Sequence, residues 1–276
     1  MKKLVSVLLA AAAALALSAC SKTADSDLAQ VQENGVMKIG VTNYPPMNYM
    51  DENGEWTGFD TDFAKAVCEK LGVEAEFVEI SWEAKETELS SRNIDCLWNG
   101  MCITEERKEM WNVSEPYMNN TQAMVMKADK EAEIMADISG KNVVSEAGST
   151  GEEKLLGVID DSTDPTVEVV AKDYFKDAKY TGVSSMATAL MDVSNGVADV
   201  ALVDYVIALG MVGGPDSELK DLVINTDNNF GDQFFGIAFR KDSDIRDKVN
   251  EIAAEMKADG SLAEIAKKYG LEDSIK

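Results

Sequence analysis

The sequence predicts an α/β protein made of two lobes, and three observations carry that prediction. Short apolar runs with strand character alternate with amphipathic segments, which is the pattern of parallel strands joined by crossover helices. The same alternation starts again after residues 123–130, so the chain is expected to contain two similar units. Of the 276 residues, 45% are hydrophobic, which is enough for one large or two small domains with a real core.

The first unit is predicted from residue 36 onwards. Its three predicted strands are residues 36–42, 74–80 and 95–100. Between the first two strands, apolar residues recur at helical spacing along one face, which predicts a helix. Gly72, just after the last of these residues, is the predicted end of that helix. These apolar residues are Phe59, Phe63, Ala66, Val67 and Leu71. Residues 81–94 form a further predicted helix, and another begins within residues 104–112.

The second unit repeats this order and is followed by a C-terminal segment. Its predicted elements are a strand at 140–147, a helix start within 148–159, short segments at 169–175 and 177–182, a helix at 184–198 and a strand at 199–204. The C-terminal segment is predicted to contain a strand at 234–241 and two helices separated at Asp259-Gly260. One apolar face of these helices is expected to pack in the core, and its residues are Ile252, Met256, Leu262, Ile265, Ala266 and Tyr269.

Charge and composition exclude several classes of function. The chain has 26 Lys and Arg residues against 50 Asp and Glu residues, a formal net charge of −24. This balance argues against nucleic acid as a partner and against docking on anionic lipid through a basic face. The electrostatic field of such an acidic surface favours the approach of cations. The chain contains no histidine, which excludes histidine-based catalytic triads and the usual zinc sites.

The N-terminal segment has the layout of a secretory signal. Lys2 and Lys3 precede an apolar run that is too short to span a bilayer, since a membrane helix needs about 20 residues. The small residues before Cys20 resemble a bacterial lipobox. They predict that residues 1–19 are removed, that Cys20 carries palmitate or related acyl chains, and that residues 20–30 form the lipidated cysteine and a tether. The alternative is an ordinary signal peptide cleaved near Ala19.

A lipobox also predicts where the protein is found. It places the mature chain on the outer face of the cell membrane or in the periplasm, attached through lipid only. Three cysteines, Cys68, Cys96 and Cys102, then remain, and their spacing fits no metal pattern. We expect them to be buried, reduced thiols, and we expect no metal site.

Six segments of the chain, taken together and in order, resemble the amino-acid-type substrate-binding proteins of bacterial ABC importers. The resemblance covers about residues 36–270 and implies the type II periplasmic-binding-protein-like fold, with two α/β lobes around a ligand cleft. It assigns residues 31–126 and 231–276 to the first lobe and residues 127–230 to the second. The segments are MKIGVTNYPPMNYMDENGEWTGFDTDFAKAV, IDCLWNGMCITEER, SEPYM, VSEAGSTGEE, NGVADVALVD and FFGIAFRKDS followed by LAEIAKKYG.

The resemblance also implies which residues hold the ligand's amino-acid head group. Arg107 is expected to grip the α-carboxylate, because a guanidinium offers a planar fork to a carboxylate and stays charged. The loop at Gly100 and Cys102 is expected beside the ligand, although a thiol is a weak hydrogen-bonding group. Thr150, at a predicted helix start, is expected to help hold the carboxylate, and Asp204 to receive the α-ammonium. The alternative for Arg107 is a surface ion pair with a neighbouring glutamate.

The ligand's side chain is expected between Tyr44 and Trp82, which resemble the aromatic walls of such clefts. Glu146 corresponds to a ligand-contacting position, and its carboxylate favours a cationic or amide side chain. Asn43 and Asp60 are further candidates. Asp60 either faces the cleft or caps the following helix. The alternative is that Lys85 enters the cleft and forms an ion pair with Glu146. The site would then suit a neutral polar ligand such as glutamine or cystine.

The resemblance therefore implies a monomeric receptor that captures a polar amino acid and delivers it to a cognate ABC permease. It implies no cofactor and no catalytic activity. Two other classes stay open, namely an enzyme of the same fold resembling cyclohexadienyl dehydratase, and a ligand-sensing receptor module. The sequence carries no independent catalytic motif for the first alternative, because general acid–base chemistry needs a placed acid and base.

Overall fold

The computed structural model describes residues 26–158, 170–171, 173–212, 217 and 219–276. The predicted signal peptide, Cys20 and the first part of the predicted tether lie outside the described residues. Positions 169 and 172 of the predicted segment 169–175 lie outside them as well, as do residues 159–168 before it. No helix of the described part is long and apolar enough to cross a membrane. The same residues contain no cluster of three or more Cys, Asp or Glu side chains that could hold a metal ion.

The strands of the described residues are β1 (Val36–Val41), β2 (Tyr49–Met50), β3 (Trp56–Thr57), β4 (Glu74–Glu79), β5 (Cys96–Cys102), β6 (Asn112–Val113), β7 (Met118–Asn120), β8 (Gln122–Lys127), β9 (Asn142–Glu146), β10 (Lys179–Val183), β11 (Val200–Asp204), β12 (Leu222–Asn225) and β13 (Gln233–Phe239). The α-helices are α1 (Asp27–Asn34), α2 (Phe59–Leu71), α3 (Lys85–Ser90), α4 (Glu105–Met110), α5 (Glu131–Ala136), α6 (Thr150–Leu155), α7 (Met186–Ser194), α8 (Tyr205–Met211), α9 (Ile245–Asp259) and α10 (Ser261–Lys268).

Two separate sheets confirm the predicted α/β class. The first has the order β4-β1-β5-β13-β6, with β7 also paired to β13, and its strands β4, β1 and β5 are parallel. The second has the order β10-β9-β11-β8-β12, with β10, β9 and β11 parallel. We call the elements packed on these sheets the first and second lobes. Strands β13 and β8 are antiparallel to their neighbours because each enters its sheet from the other lobe.

The chain crosses between the lobes twice within the described residues. β7 belongs to the first sheet and β8 to the second, so the first crossing occurs at Thr121. The second crossing lies between β12 and β13, and the Thr121 hydroxyl donates a 2.9 Å hydrogen bond to the Gly231 carbonyl there. The lobe boundaries drawn from the sequence remain a prediction. The strand β8, most of which they assign to the first lobe, pairs in the second sheet.

The C-terminal helices α9 and α10 return to the first lobe and pack on α2. Four residues of the predicted apolar face are buried there, namely Ile252, Met256, Leu262 and Ala266, and Ile265 and Tyr269 pack partly buried against the same core. Gly260 ends α9 with φ +83°, which explains the break predicted at Asp259-Gly260.

Two predicted elements differ from the structure. The segment predicted as a tether is helical from Asp27, because Ser26 caps α1 and the buried Asp27 carboxylate pairs with Arg240 at 2.8 Å and Arg92 at 2.7 Å. The predicted helix 81–94 is instead a 3₁₀ turn at Trp82–Ala84 followed by the short α3. The helix ends before Arg92, whose φ of +64° is incompatible with a continuing α-helix.

Candidate ligand-binding cleft

Between the lobes, the carboxyl ends of β5, β9 and β11 converge on one small cavity. Its volume is about 10 Å³, roughly the room of one water molecule. Eight of the ten predicted site residues line it, together with three that the sequence did not single out. The predicted ones are Tyr44, Trp82, Gly100, Cys102, Arg107, Glu146, Thr150 and Asp204, and the added ones are Asn99, Ser149 and Met186.

The two remaining candidates, Asn43 and Asp60, do not line the cavity. Asn43 is exposed on the loop after β1. Asp60 is 0% exposed and lies beneath the cleft, where it accepts hydrogen bonds from the Gly100 N–H at 2.7 Å and the Tyr117 hydroxyl at 2.9 Å. Burial raises the pKa of Asp60 to about 7. Its role in this structure is to hold the backbone at Gly100, and it makes no side-chain cap on α2.

Arg107 is buried, with 3% of its surface exposed, and it points into the cleft. The Thr104 side chain caps α4 by accepting the Arg107 N–H, so the arginine stands in the first turn of the helix. Its guanidinium donates to the Cys102 carbonyl at 2.8 Å and lies 3.4 Å from a Glu153 carboxylate oxygen of the second lobe. The alternative of a surface ion pair does not hold, because the Arg107 side chain is buried, and the neighbouring Glu105 pairs with Lys108.

Asp204 ends β11 on the opposite lobe and is 2% exposed. The Tyr44 hydroxyl donates to one of its oxygens at 2.8 Å, and the side-chain amides of Asn120 and Gln122 donate to the other. Burial raises the pKa of Asp204, and these donors oppose that rise because they favour the ionised form. Asn120 and Gln122 flank the first crossing, and the sequence analysis missed them.

Thr150 and Ser149 bring the start of α6 to the cleft. The Ser149 hydroxyl accepts the Glu152 N–H at 3.2 Å and thereby caps the helix. The Thr150 hydroxyl accepts a hydrogen bond from Gln122 at 3.1 Å. Both side chains are buried, so Ser149 caps the helix and lies beside the cavity at the same time.

Glu146, at the end of β9, is 6% exposed and lines the cavity. Burial and the neighbouring Asp204 carboxylate raise its pKa to about 8, against the opposing influence of Lys85 and Arg107. The Lys85 ammonium stands 4.9 Å from the centre of the Trp82 ring and donates to the Gly148 carbonyl at 3.0 Å. Burial and the Arg107 charge lower the pKa of Lys85 to about 8. Lys85 is thus close enough to influence Glu146 but forms no ion pair with it.

The cysteines are as expected: Cys68, Cys96 and Cys102 are buried, free thiols. Burial raises the pKa of each of them, which keeps the thiols protonated and poorly reactive. Cys102 lines the cleft, where its Sγ lies 3.3 Å from the Gln233 side-chain oxygen and 3.6 Å from an Asp204 oxygen.

Replacement of Gly100 by alanine is expected to disrupt the cleft wall. A Cβ there would lie 2.4 Å from a Tyr44 ring carbon, and the backbone φ of +56° is unfavourable for alanine. Gly140→Ala is the matched control, because its φ is +73° and nothing lies within 4 Å of the added carbon. Thermal denaturation should show a larger drop in melting temperature for Gly100→Ala. Equal drops in melting temperature for the two variants would show that the Tyr44 ring moves aside without destabilising the protein.

The fold and the cleft define a class: a two-lobed binding protein with a cation from one lobe and an anion from the other facing one enclosed site. The chain belongs to family 3 of the bacterial extracellular solute-binding proteins, whose family model matches residues 37–272.

Characterised proteins similar to this chain bind amino acids. The L-cystine-binding protein TcyJ of Escherichia coli strain K12 is 31% identical over 246 residues, which cover 88% of this chain and 85% of that protein. The arginine-binding extracellular protein ArtP of Bacillus subtilis is 29% identical over 272 residues, 98% of each chain. The crystal structure of an ABC uptake transporter substrate-binding protein from Streptococcus pneumoniae with bound histidine matches with a TM-score of 0.78 and 28% identity. That match covers 92% of this chain and all of that one.

Proposed function

We propose that this protein is an extracellular receptor that captures a polar amino acid between its lobes and delivers it to an ABC importer. The observation that carries the proposal is the placement of Arg107 and Asp204 on opposite lobes of one cavity, both almost fully buried. Opposite charges at that site complement the carboxylate and ammonium of an amino acid, and each would be costly to bury without a partner.

In the proposed complex, the head group bridges the lobes. Arg107 of the first lobe binds the α-carboxylate, supported by Thr150 at the start of α6, and Asp204 receives the α-ammonium. Tyr44 already contacts Asp204 through its hydroxyl, so its ring stands beside the ammonium. Gly100 and Cys102 supply the facing edge of β5.

The side-chain preference is the finer part of the proposal. Tyr44, Trp82 and Glu146 favour a cationic or amide side chain, in keeping with a relative named for arginine binding and a similar structure with bound histidine. Lys85 stands near the same wall and weakens the preference for a net positive ligand. The similarity to a relative named for cystine binding is in keeping with this effect of Lys85, which favours a neutral polar ligand.

The proposed cycle is closure about the two crossings. The cavity of about 10 Å³ is smaller than an amino acid, so the lobes must separate before a ligand enters. Contacts such as Tyr44 to Asp204 and Trp82 to the Gly148 carbonyl join the lobes and would break on opening. The closed, liganded form is then the one presented to the permease, and the receptor acts as a monomer without a cofactor.

A thermal-shift screen tests the function directly. The twenty amino acids, cystine and ornithine are each added to the purified mature protein, because a ligand that binds only the folded state raises its melting temperature. A rise with at least one amino acid is expected. A prephenate turnover assay runs alongside, and turnover without any amino-acid binding would favour the enzyme alternative and overturn the proposal.

The proposed anchor gives a separate prediction. Because residues up to Cys20 resemble a lipobox, Cys20→Ala should move the protein from the membrane fraction to the medium or periplasm. Cys68→Ala is the control, since that thiol is buried in the first lobe and should leave the membrane fraction unchanged. An unchanged membrane fraction for Cys20→Ala would contradict lipid anchoring without affecting the ligand proposal.

A further inference from the structure

Behind the wall of the cleft lies a buried carboxylate that the proposed binding site does not use. Asp60 is 0% exposed and does not line the cavity, and no Lys or Arg side chain of the described residues forms an ion pair with it. Its Oδ1 atom has no hydrogen-bond partner within the described part of the chain. An ionised group is costly to bury without a partner, so the surroundings of Asp60 indicate a role for its charge.

The other oxygen of Asp60 connects an aromatic cluster to the cleft wall. This Oδ2 atom accepts the Tyr117 hydroxyl at 2.9 Å and the Gly100 N–H at 2.7 Å. The Tyr117 ring is 5% exposed and packs against Phe59 and Phe235, with ring centres 6.2 Å and 6.4 Å away. Tyr117 therefore fixes the carboxylate from one side, and the carboxylate holds the Gly100 backbone on the other.

The peptide unit between Asn99 and Gly100 carries this contact into the cleft. Both residues line the cavity, and the N–H of the unit points back towards Asp60. Because the unit is trans and planar, its carbonyl points the opposite way, so the Asn99 carbonyl is directed to the cavity side. A carbonyl there can accept a hydrogen bond from the ligand's ammonium. Hydrogen bonds in a chain polarise one another, so an ionised Asp60 makes this carbonyl a stronger acceptor.

We propose that Asp60 is a positioning residue whose ionised carboxylate holds and polarises the Asn99–Gly100 peptide, so that protonation of Asp60 weakens ligand binding. Asp60 acts through this peptide and contacts no ligand itself. The inference rests on the proposed function, because the group that it affects is the ammonium of a bound amino acid.

The direction of the pH dependence follows from the surroundings of Asp60. Burial raises the pKa of this carboxyl to about 7, and the hydrogen bonds from Gly100 and Tyr117 oppose the rise. The Tyr117 and Tyr44 hydroxyls and the Cys102 thiol nearby have pKa values well above their usual ranges because they are buried, so they stay neutral. A bound ammonium favours the ionised carboxylate, so affinity should fall as the pH drops through about 7 and Asp60 takes up a proton.

Isothermal titration calorimetry on the mature protein tests this at about pH 8 and about pH 5.5, with the amino acid that gives the largest thermal shift. Asp60→Asn keeps an oxygen that can accept both hydrogen bonds but, like the protonated acid, it carries no charge. At about pH 8 the wild type should bind roughly tenfold more tightly than this variant, the equivalent of a change of one pKa unit. At about pH 5.5 the advantage should shrink to less than about threefold. Glu146, Lys85 and Asp204 are present in both proteins, so their titration cancels in the ratio of the two affinities.

Asp62→Asn is the matched control, because that carboxylate is on the same helix and pairs with Lys268 at 2.6 Å instead of holding the cleft wall. The affinity of Asp62→Asn relative to the wild type should not change with pH. Tyr117→Phe removes one donor to Asp60 and should raise the pKa of that carboxyl, so its loss of affinity should begin at a higher pH than in the wild type. Circular dichroism and thermal denaturation at each pH establish that each variant is folded.

The outcomes separate the two proposals. A wild-type advantage over Asp60→Asn that is the same at both pH values would overturn the inference, and the amino-acid receptor would stand. An equal pH-dependent loss in Asp62→Asn would overturn it as well, because the effect would then be general. If Asp60→Asn does not fold, Tyr117→Phe decides the question, and a pH profile unchanged from the wild type overturns the inference. If no amino acid binds at either pH, both proposals fail.

Discussion

Arg107→Ala is expected to abolish ligand binding at accessible concentrations. The change removes the guanidinium from a site where it is 3% exposed, and a bound α-carboxylate would then be buried without its partner. Truncating one member of a buried charge pair costs roughly 2–5 kcal/mol, which corresponds to a loss of affinity of roughly 30-fold to several thousandfold. Calorimetry with whichever amino acid gives the largest thermal shift measures this loss.

The effect on the protein alone should be smaller, because Arg107 has few partners of its own. It donates to the Cys102 carbonyl at 2.8 Å, and it contacts the Gly148 carbonyl and Glu153 at the longer distance of 3.4 Å each. Arg246→Ala is the matched control, since that arginine is on α9 and pairs with the exposed Asp247. Wild-type affinity in Arg107→Ala would show that the ligand binds elsewhere, and an equal loss in Arg246→Ala would show that the assay reports global damage.

Asp204→Asn is expected to have an effect of similar size. The substitution keeps the shape of the side chain and removes the negative charge opposite the α-ammonium. The ammonium would then lose its ionic partner in a buried site, at a cost again of roughly 2–5 kcal/mol. The amides of Asn120 and Gln122 donate to the carboxylate in the wild type, and they would face a weaker acceptor in the variant.

Asp247→Asn provides the charge-matched control for this experiment, because that carboxylate is largely exposed. Melting temperatures distinguish binding from folding. Circular dichroism must show that the variant is folded, because Asp204 accepts buried hydrogen bonds from Tyr44, Asn120 and Gln122 that an asparagine cannot all accept. A folded Asp204→Asn that binds amino acids as the wild type does would remove Asp204 from the site.

Much of the cleft was predictable because its residues lie in short segments of recognisable order. The resemblance to the amino-acid-type binding proteins implied that Arg107, Glu146 and Asp204 hold the ligand. In the structure, Arg107 stands in the first turn of α4, and Glu146 and Asp204 end β9 and β11. The sequence alone left Asp60 ambiguous between cleft and cap. It occupies neither role, because packing of the first turn of α2 beneath β5 places its carboxylate under Gly100.

The amide network around Asp204 was not predictable from local patterns. Asn120 and Gln122 flank the first crossing, and Gln233 follows the second crossing, 113 and 111 positions further along the chain. They meet only because the crossings run side by side. Lys85 was recognised as a candidate for the cleft, but the sequence did not show whether it pairs with Glu146. Its contact with Gly148 joins two loops on different lobes, and only their relative position settles its partner.

By itself, the sequence determined the α/β class, the order of the main elements and the edges on which the charged residues stand. These follow from local causes, namely the period of apolar residues, the caps and the glycines that end helices. Tertiary structure decided which of those residues meet. Tyr44 and Asp204 are 160 positions apart and joined by one hydrogen bond. Such a contact depends on sheet order and on the angle between the lobes, and neither is encoded in a local pattern.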